Sequence, residues 1–387
     1  MKWEIEQAKN GQATLKLNNV YLYSKYNPKQ DVARFMEKEI LDKNNKFILV
    51  GLGLGYHLSY LLREVENVEV QYILLDDKEL VLYQEYCDEK TLSAHNVKKF
   101  INDEEFNKEA QIIIPQSFLN AIGLQHPLYP FIEDIKIRQR SFKRFKEQME
   151  QNFIENSKLY QPLKIGDISR EKAALVASGP SLKDTVKWLK IHEEEFDIYC
   201  VGSALGVLLE YDIQPKKIFM SDAQPAMLKQ VDNDYCGELV FLSTANAQAV
   251  AHFKGSKQII FQQGYSAAEQ FAKERKQPLF ETGGSVATTA FSFIEWLNYK
   301  ELYLFGQDLG FAGGRTHVEG STSGKEITEN NKFLDILAND GSMIQSTPNL
   351  LSYKRWFDQA FTKTDIRIFN TAKKGAKLKN TVFLDIT

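Results

Sequence analysis

Little in this chain marks it for a specialised class. Its 387 residues hold three cysteines, Cys87, Cys200 and Cys236. They are far apart and odd in number, which argues against a disulfide frame or a zinc knuckle and for a reducing compartment. Neither sign of charge dominates. Lys and Arg number 48 against 51 Asp and Glu, a net charge of −3, so the broad basic footprint of a nucleic-acid binder is missing. No apolar run is long enough to span a bilayer. The start, Met1-Lys-Trp-Glu-Ile-Glu-Gln, is charged throughout and lacks the apolar stretch of a signal peptide. Internal repeats and low-complexity linkers are also lacking. These absences lead to a cytoplasmic protein without membrane spans and without nucleic-acid partners. With 43% hydrophobic and 26% charged residues, the composition suits two or three ordinary folded domains.

The patterning predicts an α/β chain. Residues up to Tyr26 alternate weakly and predict a short β element, and Asp31 to Leu41 has helical periodicity. Phe47-Ile-Leu-Val-Gly-Leu-Gly-Leu-Gly-Tyr56 then gives a strand and a glycine turn. A helical Leu58–Glu64 follows, then a strand-like Val70–Leu75 ending in Asp76-Asp77. This order is one βαβ unit. Ala110–Pro115 predicts another strand. From Phe131 to Tyr160 the chain is rich in Lys, Arg, Glu and Gln, with Phe142, Phe145, Met149 and Phe153 at helical spacing. That predicts a long amphipathic helix between two domains. Its basic run around Lys136, Arg138, Arg140, Lys143 and Arg144 is read as a solvated face. Beyond Glu171, near-continuous apolar runs at Ala173–Ala177, Ile198–Val201, Lys217–Met220, Leu239–Leu242, Gln258–Phe261 and Leu302–Phe305 alternate with helical stretches. That is the pattern of a parallel sheet covered on both faces. Helices are expected at Ile327–Leu337 and Asn349–Phe361, and a strand at Ile366–Phe369. The reading is therefore two Rossmann-like domains joined by a long helix, with residues 1–125, 126–165 and 166–387 as N-terminal domain, linker and catalytic domain.

Ligands of open α/β sheets gather beyond the carboxyl ends of the strands, and polar clusters fall at those ends. Val176-Ala-Ser-Gly-Pro-Ser-Leu182 stops a strand and starts a helix, with Ser181 placed to cap it and Asp184 placed as its capping-box partner. Gly179, Pro180, Ser181 and Leu182 thus form a candidate phosphate site, because the first N–H groups of a helix lack partners and its dipole favours an anion. Ser203, Asp222, Ser243 and Gln307-Asp308 end other strands. Thr282-Gly283-Gly284-Ser285 opens a second helix and offers a second set of N–H groups. Asp222 or Asp308 is the candidate ligand for a metal, with Mg²⁺ the possible ion beside a phosphate. The glycine-rich loop Gly310–Gly320 carries Arg315, His317 and Glu319, and His317 is the candidate base. The Gly51–Gly55 turn with Asp76 or Asp77 downstream could take a nucleoside, or belong to a non-catalytic Rossmann-like domain.

Six motifs, in order, resemble those of the Maf family of motility-associated flagellin glycosyltransferases. They are Phe47–Tyr56 with His57, Val176–Leu182, Gly283-Gly-Ser-Val-Ala287, Gly306-Gln-Asp-Leu309, Thr316-His317 and Asn370-Thr-Ala-Lys-Lys-Gly-Ala376. The resemblance implies transfer of a nonulosonic acid, such as pseudaminic or legionaminic acid, from its CMP-activated form to Ser or Thr of flagellin. The central domain also resembles bacterial sialyltransferases. By that likeness Gly179, Pro180, Ser181 and Ser203 lie near CMP, Gly284 and Ser285 near sugar or phosphate, and Asp308 near the reacting centre. The same domain is similar to the archaeal 6-hydroxymethyl-dihydropterin diphosphokinase, which implies ATP and Mg²⁺ as the alternative. Two departures stand out. The chain is shorter than those Maf proteins and lacks their C-terminal helical region. The segment matching the sialyltransferase base, Asn349–Phe361, holds no histidine, which leaves His317 for that role.

Overall fold

The computed structural model describes residues 1–40, 44–87, 92, 94, 96–100, 110–163, 170–231, 235–311, 317–319, 321–322 and 333–387. The chain divides into two units, Met1–Ile137 and Arg138–Thr387.

The first unit begins with an antiparallel sheet of β1 (Trp3–Gln7), β2 (Ala13–Leu17) and β3 (Val20–Tyr21). Helix α1 (Pro28–Glu39) follows; Asn27 caps it and Pro28 sits in its first turn, where a missing N–H has no consequence. Next come β4 (Lys46–Val50), α2 (Tyr56–Glu64), β5 (Glu69–Ile73), α3 (Asp77–Tyr86), β6 (Val97–Lys99), β7 (Gln111–Ile113) and α4 (Gln116–Ile122). The four strands form one parallel sheet in the order β6-β5-β4-β7. The predicted βαβ unit is present as β4-α2-β5. Phe47, Leu49, Leu58, Leu61, Tyr83 and Phe118 fill its core.

Helix α5 (Tyr129–Ser157) is the long helix expected from Phe131 to Tyr160. The second unit then runs β8 (Lys172–Val176), α6 (Leu182–Ile191), β9 (Phe196–Val201), α7 (Leu205–Glu210), β10 (Lys217–Met220), β11 (Glu238–Leu242), α8 (Ala247–His252), β12 (Ser256–Gln262), α9 (Ser266–Glu274), β13 (Leu279–Phe280), α10 (Val286–Trp296) and β14 (Glu301–Phe305). A hairpin of β15 (Leu334–Leu337) and β16 (Met343–Ser346) comes before α11 (Pro348–Ala360), β17 (Arg367–Asn370) and β18 (Thr381–Phe383). Nine of these strands make a single sheet, β13-β12-β11-β10-β9-β8-β14-β17-β18, and every pairing in it is parallel. β9 and β10 are buried along their whole length, as the apolar runs required. Helices flank the sheet, so the expected fold class holds in both units.

One element differs. The helix expected over Ile327–Leu337 ends in a strand, β15, paired residue for residue with β16. Helical periodicity and strand alternation are hard to separate over so short a run, and the cross-strand partner lies beyond the window read. Residues 327–332 lie outside the described residues.

Candidate active site

The sheet order itself locates the site. From β8 the chain moves outward through β9 to β13. It then returns to the other side of β8 as β14 and moves away through β17 and β18. The connections therefore reverse between β8 and β14, and such a switch point opens a crevice at the carboxyl ends of the strands. Ser178–Ser181 follows β8, and Gly306-Gln307-Asp308 follows β14. The Gly179 N–H donates to the Gly306 carbonyl at 2.8 Å. A Cβ on Gly179 would overlap that carbonyl and an Asp308 carboxylate oxygen, so only glycine lets the two turns meet. The backbone beyond β14 is bent hard. Gly306 lies at φ +62° and Leu309 at φ +50°, and the latter stores about 1–3 kcal/mol of strain in a non-glycine residue. The Asn370–Ala376 motif braces this bend: the Ala376 N–H donates to the Asp308 carbonyl at 2.7 Å, and the Thr371 hydroxyl to the Leu304 carbonyl at 2.8 Å.

The predicted capping box is not formed. Ser181 is helical rather than extended, and its side chain makes no cap. Its hydroxyl donates instead to Asp308 Oδ2 at 2.9 Å, and its N–H points at both carboxylate oxygens at 3.2 and 3.3 Å. The next three N–H groups bond back to the Gly179, Pro180 and Ser181 carbonyls at 3.1–3.3 Å. The anion at this helix start is therefore the protein's own Asp308. Burial raises the Asp308 pKa to about 7, against the pull of the Ser181 donors. The group thus exchanges its proton near neutrality.

The second helix start is open. Ser285 and Thr288 form a true capping box, and the Gly283 N–H donates to the Thr288 hydroxyl at 2.9 Å. Among the described residues, the N–H groups of Gly284, Val286 and Ala287 have no acceptor. They lie at the positive end of an eleven-residue helix, where Gly284 is exposed, Val286 half-buried and Ala287 buried. Tyr353 of α11 stands over this turn: a Cβ on Gly284 would be 3.2 Å from its ring. Burial, then the nearby Asp222 carboxylate, raises the Tyr353 phenol pKa. Its hydroxyl has no hydrogen-bond partner among the described residues. Sequence reasoning misses Tyr353, since a base is expected there as a histidine and Asn349–Phe361 has none; the available signal is a tyrosine within that helix.

The other candidates divide. The Ser203 hydroxyl shares a 2.8 Å hydrogen bond with Ser178, which puts it on the crevice wall. His317 comes to the same place, because the Val318 N–H donates to the Ser178 carbonyl at 2.9 Å. Burial lowers the His317 pKa, leaving the ring neutral at pH 7 and able to accept a proton. Arg315 and the loop around it, residues 312–316, lie outside the described residues. Gln307 is buried, and its Oε1 has no partner among the described residues. Ser243 is fully buried and donates to Gln262 at 2.9 Å, a bond within the sheet edge. Asn152 and Asn156 of α5, also unforeseen, tie that edge down. Their amides donate to the Ala223, Thr244, Ser243 and Ala245 carbonyls at 2.7–3.2 Å. Among the described residues no three His, Cys, Asp or Glu side chains converge as a metal site. Asp222, half-buried and bonded to Gln224, could supply one ligand to a Mg²⁺ held mainly by phosphates.

The glycine turn of the first unit is filled by protein. Gly51, Gly53 and Gly55 have φ of +84°, +50° and +71°, as a tight turn after a strand needs. However, the Gly53 N–H donates to Glu79 Oε1 at 2.7 Å, and the Leu54 N–H to the Tyr23 hydroxyl at 3.0 Å. The Phe118 ring lies against Gly51. Asp76 accepts from the Trp3 indole and caps α3. His57 is buried among Tyr23, Phe35 and Phe118, and burial pushes its pKa down to about 3. A carboxylate, two aromatic rings and a neutral histidine thus occupy the places a nucleoside would need.

Residues 145–314 match the family model described as 6-hydroxymethylpterin diphosphokinase MptE-like. The fold is similar to the solved structure of a MAf glycosyltransferase from Magnetospirillum magneticum AMB-1, with a TM-score of 0.56 and 15% identity. That likeness covers 99% of this chain and 70% of the other. No curated protein matches the chain by sequence. Both groups named from the motifs are thus met again, one through the central segment and one through the whole fold.

Proposed function

We propose that the chain is a glycosyltransferase that moves a nonulosonic acid from a CMP-activated donor to a hydroxyl group, in flagellin a Ser or Thr. The observation that carries this reading is the open helix start at Gly284–Ala287 beside the switch-point crevice, with Tyr353 above it. Free N–H groups at a helix start suit a phosphate, and a phenol hydroxyl without a protein partner suits its remaining oxygen. The whole-chain likeness to a glycosyltransferase fold supports transfer of a sugar over other uses of a nucleotide.

In this reading the donor phosphate lies on Gly284, Val286 and Ala287. His317 takes the acceptor O–H proton while the acceptor oxygen bonds to the anomeric carbon. The bond from that carbon to the phosphate oxygen breaks, and its electron pair leaves with CMP. Asp308, poised near neutrality, holds the Ser181 turn, and its charge favours the oxocarbenium-like sugar. A cation for the sugar carboxylate, Arg315 or Lys377, belongs to the same proposal.

The match of residues 145–314 to a diphosphokinase family favours a second reading, transfer of pyrophosphate from ATP to a pterin alcohol with Mg²⁺. A thermal-shift panel of CMP, CDP, ATP and AMP, with and without Mg²⁺, separates the two. Stabilisation by CMP without Mg²⁺ is expected. Stabilisation by ATP and Mg²⁺ only, with AMP released in the presence of a pterin alcohol, would overturn the first reading in favour of the second.

A further inference from the structure

A second concavity, of about 310 Å³, lies at the outer edge of the nine-stranded sheet. It is at the small end of ligand pockets, about 300–1,000 Å³. Among the described residues, strand β13 has no neighbour on its outer side, and the outer faces of two helices close over it. On α10 the contributing residues are Ser292, Glu295 and Trp296; on α11 they are Trp356 and Gln359. Both sets follow the three- and four-residue spacing of a single helix face. The Ser292 hydroxyl donates to the Glu281 carbonyl at 2.8 Å, which fastens the end of β13 to α10.

The lining has an unusual balance. Trp296 and Trp356 supply flat apolar surface. Around them stand Gln263, Gln359, Glu281 and Glu295. None of these four side chains has a hydrogen bond or an ion pair among the described residues. Lys363 adds one cation, also without a partner among the described residues. Both indoles are anchored in the core, Trp296 against Phe280 and Phe293 and Trp356 against Phe291 and Phe357, so each offers the cavity a fixed apolar surface among free polar groups. An anion would want cations, and this site has two carboxylates to one lysine. An organic cation would want acceptors alone, but amide N–H₂ groups and an ammonium are donors. A hydroxyl both donates and accepts, and a mixed rim of amides, carboxylates and one ammonium satisfies several hydroxyls at once. The carbon-bound hydrogens on the face of a sugar ring complete the match, because they bear on indole without loss of hydration.

We infer that this cavity is a carbohydrate site for a neutral pyranose, stacked on Trp296 and Trp356 and held through its hydroxyls by Glu281, Glu295, Gln263 and Gln359. It stands apart from the nucleotide chemistry and does not rest on the transfer reading. Its position gives it a use there. Glu281 lies two residues before Gly283, and the Trp356 ring covers Gly283, with a Cβ there 2.5 Å from it. One wall therefore serves both sites, and a neutral sugar held in the cavity sits beside the open helix start. An acceptor that already carries a neutral sugar would be anchored there.

The test is saturation-transfer NMR on the full chain with methyl β-D-galactoside, methyl β-D-glucoside and N-acetylglucosamine. N-acetylneuraminic acid and an N-acetyl-lysine amide serve as anionic and cationic probes. At least one neutral sugar should receive saturation through its ring C–H protons, with about millimolar affinity as befits a single unit. Gln359→Ala and Glu295→Gln are exposed changes that should leave the melting temperature in place and weaken that affinity at least fivefold. Trp296→Ala should abolish the signal. CMP should not compete. No transfer to any neutral sugar overturns the proposal, as does transfer unchanged in all three variants, or stronger transfer to the charged probes. A chain that binds a neutral sugar but no nucleotide keeps this inference while removing the transfer reading.

Discussion

Asp308→Asn tests the electrostatics of the crevice most directly. In the folded chain burial raises this carboxyl from 3.8 to about 7. A difference of about three in pKa, at about 1.4 kcal/mol each, makes the protonated fold favoured by about 4 kcal/mol over the ionised one. The sign follows from linkage. The folded state holds the proton more tightly than the unfolded state, so this stability is complete below about pH 3.8 and is lost as pH rises through 7. Between pH 5 and pH 8 the wild type should lose about 3 kcal/mol through this one group. Asparagine cannot ionise, and its Oδ1 still accepts from Ser181, so the variant should lose none of it. Urea unfolding of both proteins at pH 5, 6, 7 and 8, read by a probe in the second unit, gives the comparison. Glu79 is also raised to about 7 by burial and contributes the same slope to both proteins, so it cancels in the difference. The variant should gain on the wild type by about 3 kcal/mol across that range, or about 6–12 °C in Tm for a domain of this size. A gap that stays constant with pH would refute the reasoning, since it would mean Asp308 titrates as it does in water.

Tyr353→Phe removes one hydrogen bond to a charged phosphate, about 1.5–3 kcal/mol, so calorimetry should show CMP binding weakened about tenfold or more with the melting temperature unchanged; equal affinity would remove Tyr353 from the site. Asn156→Ala leaves the Ser243 and Ala245 carbonyls without their donor, which should cost about 2–4 kcal/mol in urea unfolding. A loss under 0.5 kcal/mol would mean that water replaces the amide. The first unit should give no calorimetric heat with S-adenosylmethionine, because Glu79 and Phe118 fill the glycine turn. Micromolar binding would show that the filling gives way.

The fold was largely legible because buried parallel strands announce themselves. Each run such as Lys217–Met220 is apolar on both faces, and the glycine turns punctuate them. β15 was not legible, since its identity rests on pairing with β16 rather than on its own pattern. At the strand ends, the sequence marked turns that the fold brings together at the switch point, but it misjudged what occupies them. Ser181 followed by Asp184 reads as a capping box, and nothing local reveals that Asp308, 127 residues away, takes the Ser181 donors. The Gly51–Gly55 turn left two readings open for the same reason, because Glu79 and Phe118 reach it only through the fold. Ser243 looked like a ligand residue because polar residues at strand ends are chosen by position. Its burial against Gln262 depends on a neighbouring strand.

The paired asparagines of α5 decide where a working fragment of this protein has to begin. They lie more than 15 residues before β8, yet their amides satisfy four carbonyls at the ends of β10 and β11, and the Ala247 N–H donates back to Asn152 at 3.1 Å. A fragment cut at residue 166, where the strand pattern starts, would keep every strand of the nine-stranded sheet and still lose these bonds. Its loops at Ala223 and Ser243–Asn246 would fray, with fast hydrogen exchange there and slow exchange in the strands. A fragment starting near residue 138 would carry its own fastening and should protect both.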